Sequence, residues 1–125
     1  MISENYIWLM MICLAIHYIA DFVCQSSTIA TGKATSIELL SEHIYVSWIV
    51  WVLFWPIFWI FNVDYDTYLI FLLVNILFHF ITDYFTSKVT HYHNSRGETK
   101  MFWNTIGFDQ LCHIIVITYT LRYLV

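Results

Sequence analysis

Three pairs of histidine and aspartate stand four residues apart in this sequence: His17 with Asp21, His79 with Asp83, and Asp109 with His113. On a helix, residues at i and i+4 lie one turn apart on one face, so both side chains of a pair can reach a single ion or substrate. Imidazole nitrogens and carboxylate oxygens together suit Zn²⁺, Mn²⁺ or Fe²⁺, as one ion or as two sharing carboxylates. The candidate metal ligands are therefore His17, Asp21, His79, Asp83, Asp109 and His113. Asp21, Asp83 and Asp109 are also the candidate catalytic carboxylates, since one left free by the metal could act as general base toward an activated water. Gln25, His43, Gln110, Lys33 and Lys88 are candidates for supporting roles, the two lysines by attracting a phosphate or lipid headgroup.

These groups sit in apolar surroundings. The 125 residues are 60% hydrophobic, 20% aromatic and 11% charged, against about 25% charged in ordinary soluble domains. An aspartate at the centre of a bilayer costs roughly 2.5–3.5 kcal/mol on insertion scales, so three of them need compensation. The bland compensation is hydrogen bonding between helices that only fixes their packing. Three pairs at one depth favour a shared ligand instead.

A hydrocarbon core of about 30 Å takes roughly 20 apolar residues per helix. Four stretches meet that length, 6–25, 44–61, 67–86 and 105–125, which predicts an all-α, integral membrane four-helix bundle forming one domain over 1–125. Pro56 falls in the second stretch, where a kink is tolerable. Lys33 separates the first two stretches, and Lys88, Arg96 and Lys100 separate the last two, so the positive-inside bias puts both loops in the cytoplasm and both termini outside. Arg122 lies on the other side, where a long side chain can snorkel to the interface. The N-terminus, Met1 to Asn5, has neither a positive stretch nor a following cleavage site and reads as the start of a retained first helix.

With that orientation the first and third stretches run inward and the fourth outward, and the motif reverses from His-then-Asp to Asp-then-His. All three pairs then point the same way. Asp21, Asp83 and Asp109 each lie five residues from a polar marker (Ser26, Lys88 and Asn104), about 7–8 Å inside the interface, with the histidines about 6 Å deeper. His43 joins the layer only if the second helix starts near Ser36, whose side chain could cap a first turn beginning at Ile37. That stretch otherwise shows Trp48, Trp51, Trp55 and Trp59 on one side, a stripe for lipid, a second copy or a membrane partner.

Other signals are weaker. Cys13, Cys24 and Cys112 show no CxxC spacing and read as buried free thiols that fill space. His91-Tyr92-His93 reads as a solvated piece of the third loop. A net charge of −4 with no basic patch excludes a nucleic-acid footprint, and no Gly-rich phosphate loop, nucleophile elbow or HExxH is present.

Taken together, His17-x3-Asp21-x3-Gln25, then Lys33 and His43, then His79-x3-Asp83 followed by Lys88, and Phe108-Asp109-Gln110-x2-His113 resemble the bacterial and phage membrane family called domain of unknown function 3307, over nearly the whole chain. The resemblance implies a multi-pass protein of the bacterial inner (cytoplasmic) membrane. More loosely, the chain is similar to bacterial membrane proteins labelled metal-dependent hydrolases. The leading expectation is a metal-dependent hydrolase acting on a lipid or lipid-linked substrate. The alternatives are a channel or transporter for protons or divalent cations, for which intramembrane His and Asp chains are also used, and a non-catalytic membrane accessory acting through the Trp face.

Overall fold

A computed structural model describes residues 4–124, and every regular element among them is helical. Helix α1, Glu4–Tyr18, runs directly into one π-helical turn, Ile19–Val23, closed by the Cys24 amide donating to the Ile19 carbonyl at 2.8 Å. An extra residue in the turn rotates the downstream side chains relative to a straight α-helix, and Asp21 lies inside that turn. A short helix α2, Ser27–Gly32, comes next with Ser26 as its cap. The sequence signals no helix here.

Helix α3, Ile37–Leu53, starts at the earlier of the two expected positions: Ser36 Oγ accepts from the Leu39 amide at 3.3 Å. The cap satisfies a donor that the helix itself cannot, so the helix begins before Ile44 and carries His43 inside it. Replacing Ser36 with alanine should therefore lower stability by about 1 kcal/mol, read from unfolding of the purified protein in mixed micelles.

The expected second stretch is not one continuous helix. It turns at Phe54 into α4, Trp55–Ile60, with Pro56 in the first turn, where a missing amide hydrogen is no loss. The tryptophans do not form one exposed face. Trp51 turns into the core, 2% exposed, and Trp55 packs on Tyr65 and Tyr68, which leaves Trp48 and Trp59 exposed.

Helix α5, Tyr65–Ser95, is 31 residues long, about 46 Å at 1.5 Å per residue. Asp64 caps it, its carboxylate accepting from the Thr67 amide at 3.0 Å and hydroxyl at 2.6 Å, and these bonds hold the Asp64 carboxyl below its ordinary value. The helix runs past the expected end at Thr86, so His91, Tyr92 and His93 are helical rather than loop residues, with His91 and Tyr92 exposed as expected. The true connection is the tight turn Arg96–Glu98, with Gly97 at φ +69°. Glu98 is held there by Arg96 Nε at 2.8 Å and His93 Nδ1 at 2.5 Å. Helix α6, Thr99–Leu124, returns antiparallel against α5. Met1–Ser3 of the expected first helix and Val125 of the expected fourth span lie outside the described residues.

The apolar core fills one end of the structure: Leu9, Cys13 and Ile16 of α1, Trp51 of α3, Phe58 of α4, Phe71 of α5 and Leu121 of α6. Rings lock it, with Phe58 and Tyr68 centroids 4.6 Å apart and Trp51 and Phe71 5.6 Å apart, and the Tyr68 hydroxyl donates to the Trp51 carbonyl. The outward faces are also apolar: Leu73, Leu77, Phe78, Ile81 and Phe85 are all exposed along α5. Three stretches, Glu4–Val23, Ile37–Ile60 and Tyr65–Ser95, are long and apolar enough to cross a membrane. Helix α6 has the length, but Asp109, Gln110, His113 and Arg122 dilute its apolar run.

Candidate metal centre

The end opposite the apolar core is where the polar residues meet. His17 and Asp21 come from α1 and its π turn, His43 from α3, His79 and Asp83 from α5, and Asp109, Gln110 and His113 from α6. His17, Asp21, His43, His79, Asp83 and His113 are each at most 5% exposed. Asp109 lies at the margin, its side chain 14% exposed.

The tightest grouping is a triangle. His43 Nε2 and His79 Nε2 are 3.1 Å apart, and Asp21 Oδ1 is 3.1 Å from the first and 2.9 Å from the second. Neither approach to Asp21 Oδ1 has hydrogen-bond geometry, so that buried oxygen has the two imidazoles as charge partners but no hydrogen bond. Two ring nitrogens facing each other at contact distance need at least one proton to make a bond. Three donor atoms with edges near 3 Å match the spacing that ligands adopt around one ion, about 3.0 Å for octahedral and about 3.3 Å for tetrahedral sites with bonds of about 2.0–2.1 Å. The donor set and the orphaned oxygen therefore fit a divalent cation.

Asp83 links this triangle to the remaining groups. Its Oδ2 lies 3.2 Å from His43 Nε2 and its Oδ1 3.0 Å from His113 Nε2. Lys33, at the C-terminal cap of α2, reaches Asp83 Oδ2 at 2.5 Å. On the other flank, Gln110 spans the first pair: Oε1 lies 3.1 Å from His17 Nε2, and Nε2 donates to Asp21 Oδ2 at 2.8 Å. Asp109 Oδ2 accepts from Gln110 at 3.1 Å and Oδ1 accepts from the Thr86 hydroxyl, leaving His113 at 3.5 Å. Three overlapping trios could each hold an ion: His17 with Asp21 and His79, His43 with His79 and Asp83, and Asp21 with Asp109 and His113.

The structure thus brings all six residues expected as ligands into one cluster and adds His43 at its centre, 0% exposed. Lys33 is an ion-pair partner inside the cluster and not a free cation at its rim. Lys88 is elsewhere, its ammonium 3.4 Å over the Tyr84 ring. Gln25 lies beside Asp21 on the wall of a cavity. Among the cysteines, Cys13 is buried and Cys112 partly so, but Cys24 is exposed, because the π turn ends there and carries it off the inner face. The His91–His93 segment supplies His93 to the Glu98 turn and His91 to that cavity, and no cluster ligand.

That cavity, about 340 Å³, opens directly onto Asp21, Asp109 and Gln110 and is walled by α2, the C-terminal part of α5 and the N-terminal part of α6. A smaller recess of about 10 Å³ lies against His17, His79 and His113, lined also by Trp51, Asn75, Phe78 and Ile117.

Fold and site define a class: an all-helical protein whose helices suit a bilayer, with a buried His and Asp cluster able to hold a metal ion. The chain belongs to the family described as protein of unknown function (DUF3307), whose model matches residues 9–124. Neither a curated protein nor a solved structure matches it.

Proposed function

We propose that this protein spans the bacterial inner membrane four times, α6 included, and that its cluster holds one divalent ion, Zn²⁺, Mn²⁺ or Fe²⁺, used to hydrolyse a lipid or lipid-linked substrate. The observation that carries the reading is the near-equilateral triangle of His43 Nε2, His79 Nε2 and Asp21 Oδ1, whose carboxylate oxygen makes no hydrogen bond. Charge counting favours a single ion. Asp21, Asp83 and Asp109 bring three formal negative charges and Lys33 one positive charge, so one divalent cation leaves the group neutral with its imidazoles uncharged. A buried group with two unbalanced charges would be far more costly.

A bound ion supplies Lewis acidity and lowers the pKa of water. The chain does the rest. His43, His79 and Asp21 hold the ion, with Asp83 beside them, while Lys33 fixes the Asp83 carboxylate. Asp109 faces the cavity and stands apart from the triangle, held by Thr86 and Gln110, which places it to take a proton from an attacking water. Gln110 orients both His17 and Asp21.

The unequal space on the two sides of the cluster, about 340 Å³ beside Asp21 and Asp109 against about 10 Å³ beside His17, His79 and His113, supports an enzyme over a conduit. A cation pathway needs space on both sides, and a void of about 10 Å³ is at the limit for one water molecule. The test is elemental analysis of purified protein together with product release from mixed-lipid vesicles. Wild type and Lys88→Gln should carry about one equivalent of metal, and His79→Ala and Asp83→Ala almost none, with release abolished by a chelator. Absence of metal from all four would overturn the metal reading, and chelator-insensitive release would overturn the reaction.

A further inference from the structure

Two buried side-chain atoms on α3 make no hydrogen bond, His43 Nδ1 and Ser47 Oγ. Both residues are 0% exposed, so bulk water meets neither. They stand four residues apart, one turn along the same inward face. Because Cα–Cβ bonds on a helix tilt toward its N-terminus, the Ser47 side chain leans toward His43. Its hydroxyl is also uncommitted to its own helix. Thr86, Thr90, Thr105 and Thr120 each donate to the carbonyl four residues before them, whereas Ser47 makes no such bond.

The other edge of the imidazole gives this hydroxyl a use. His43 Nε2 is a corner of the triangle, 3.1 Å from both His79 Nε2 and Asp21 Oδ1. An imidazole that binds an ion through Nε2 must offer its lone pair there, which puts the ring proton on Nδ1. Metal-binding histidines almost always donate that proton to a carboxylate, a carbonyl or a water, and the bond fixes the ring and raises its basicity. A serine hydroxyl can accept in the same way, and an N–H left unpaired in a dry site is costly. We infer that Ser47 is the positioning residue for His43: with an ion at the triangle, its hydroxyl turns about χ1 to accept from Nδ1–H and so holds Nε2 on the ion. The inference rests on the metal reading and is independent of the hydrolysis.

Competition for Zn²⁺ between the full chain in mixed micelles and a chromophoric chelator provides the test. Ser47→Ala should bind Zn²⁺ about 10–100-fold more weakly than wild type, and Ser47→Thr, which keeps the hydroxyl, within about threefold of it. Co²⁺ in place of Zn²⁺ gives a readout that packing alone would not move. At saturation the visible bands of Ser47→Ala should differ from those of wild type, because one imidazole has changed in direction and basicity, and Ser47→Thr should return them. Without metal, Ser47→Ala should unfold no earlier than wild type, since alanine suits a helix and the lost hydroxyl bonds to nothing. Equal Zn²⁺ affinity in wild type and Ser47→Ala, identical Co²⁺ bands, or Ser47→Thr no better than Ser47→Ala overturns the positioning role and leaves the metal reading standing. Weak binding matched by an equal loss of metal-free stability overturns it as a packing defect. A wild type that binds neither ion sinks the metal reading, and this inference with it.

Discussion

Replacing His43 with alanine should abolish metal binding as completely as replacing His79. His43 Nε2 is one corner of the triangle, within 3.1–3.2 Å of His79 Nε2, Asp21 Oδ1 and Asp83 Oδ2. A residue that merely supports a ligand typically costs 10–100-fold in affinity when removed. Loss of a corner should exceed that, leaving affinity more than about 100-fold weaker, or about 2.7 kcal/mol at 25 °C. Thermal unfolding gives an independent readout: metal at about 100 times its Kd stabilises a protein by about 2.7 kcal/mol, and this shift should vanish in His43→Ala. His43→Gln, which keeps a polar group in the buried site, guards against a general folding defect and should lose the metal shift too. A loss of about 100-fold or less would return His43 to a supporting position and break the triangle.

The sequence carries the cluster better than it carries the backbone that builds it. Pairs at i and i+4 survive small errors in helix boundaries, so His17, Asp21, His79, Asp83, Asp109 and His113 are legible without knowing where any helix ends. Their common orientation comes from alternating chain direction. His43 is conditional because its placement depends on one cap, and Ser36 is among many residues able to cap. The π turn has no signal at all. Such turns are rare single-turn insertions in α-helices, and only the packed structure shows that Cys24 bonds to Ile19 and sends its side chain outward. Hydropathy likewise misplaces the end of α5. Polar residues past Thr86 look like a loop to a ruler set by bilayer thickness, but backbone hydrogen bonding is indifferent to the membrane surface, and the helix continues to Ser95. The Trp stripe fails in two places: Trp51 turns inward within α3, and the helical period is interrupted at Phe54 before Trp55 and Trp59.

Lys33 gives the second large effect, and its sign depends on metal. Asp83 is 1% exposed and Lys33 16% exposed, with 2.5 Å between them. In metal-free protein, Lys33→Met leaves a buried carboxylate without its cation, which should cost about 3–5 kcal/mol. Asp83→Asn should be milder, because the released ammonium can turn into the neighbouring cavity and reach solvent. The double variant Lys33→Met/Asp83→Asn should recover most of the single-variant loss, giving a coupling well above the roughly 0.5 kcal/mol seen between independent sites. Added metal should shrink the Lys33→Met defect, since a divalent cation beside Asp83 supplies the charge that the lysine supplied. By linkage, Lys33→Met must then bind metal more tightly relative to its own apo state than wild type does. A Lys33→Met cost that stayed the same with and without metal would mean that the ion, if bound, does not share the Asp83 carboxylate. The cluster would then be two neighbouring devices, a metal triangle of His43, His79 and Asp21 and a separate structural ion pair that ties α2 to α5.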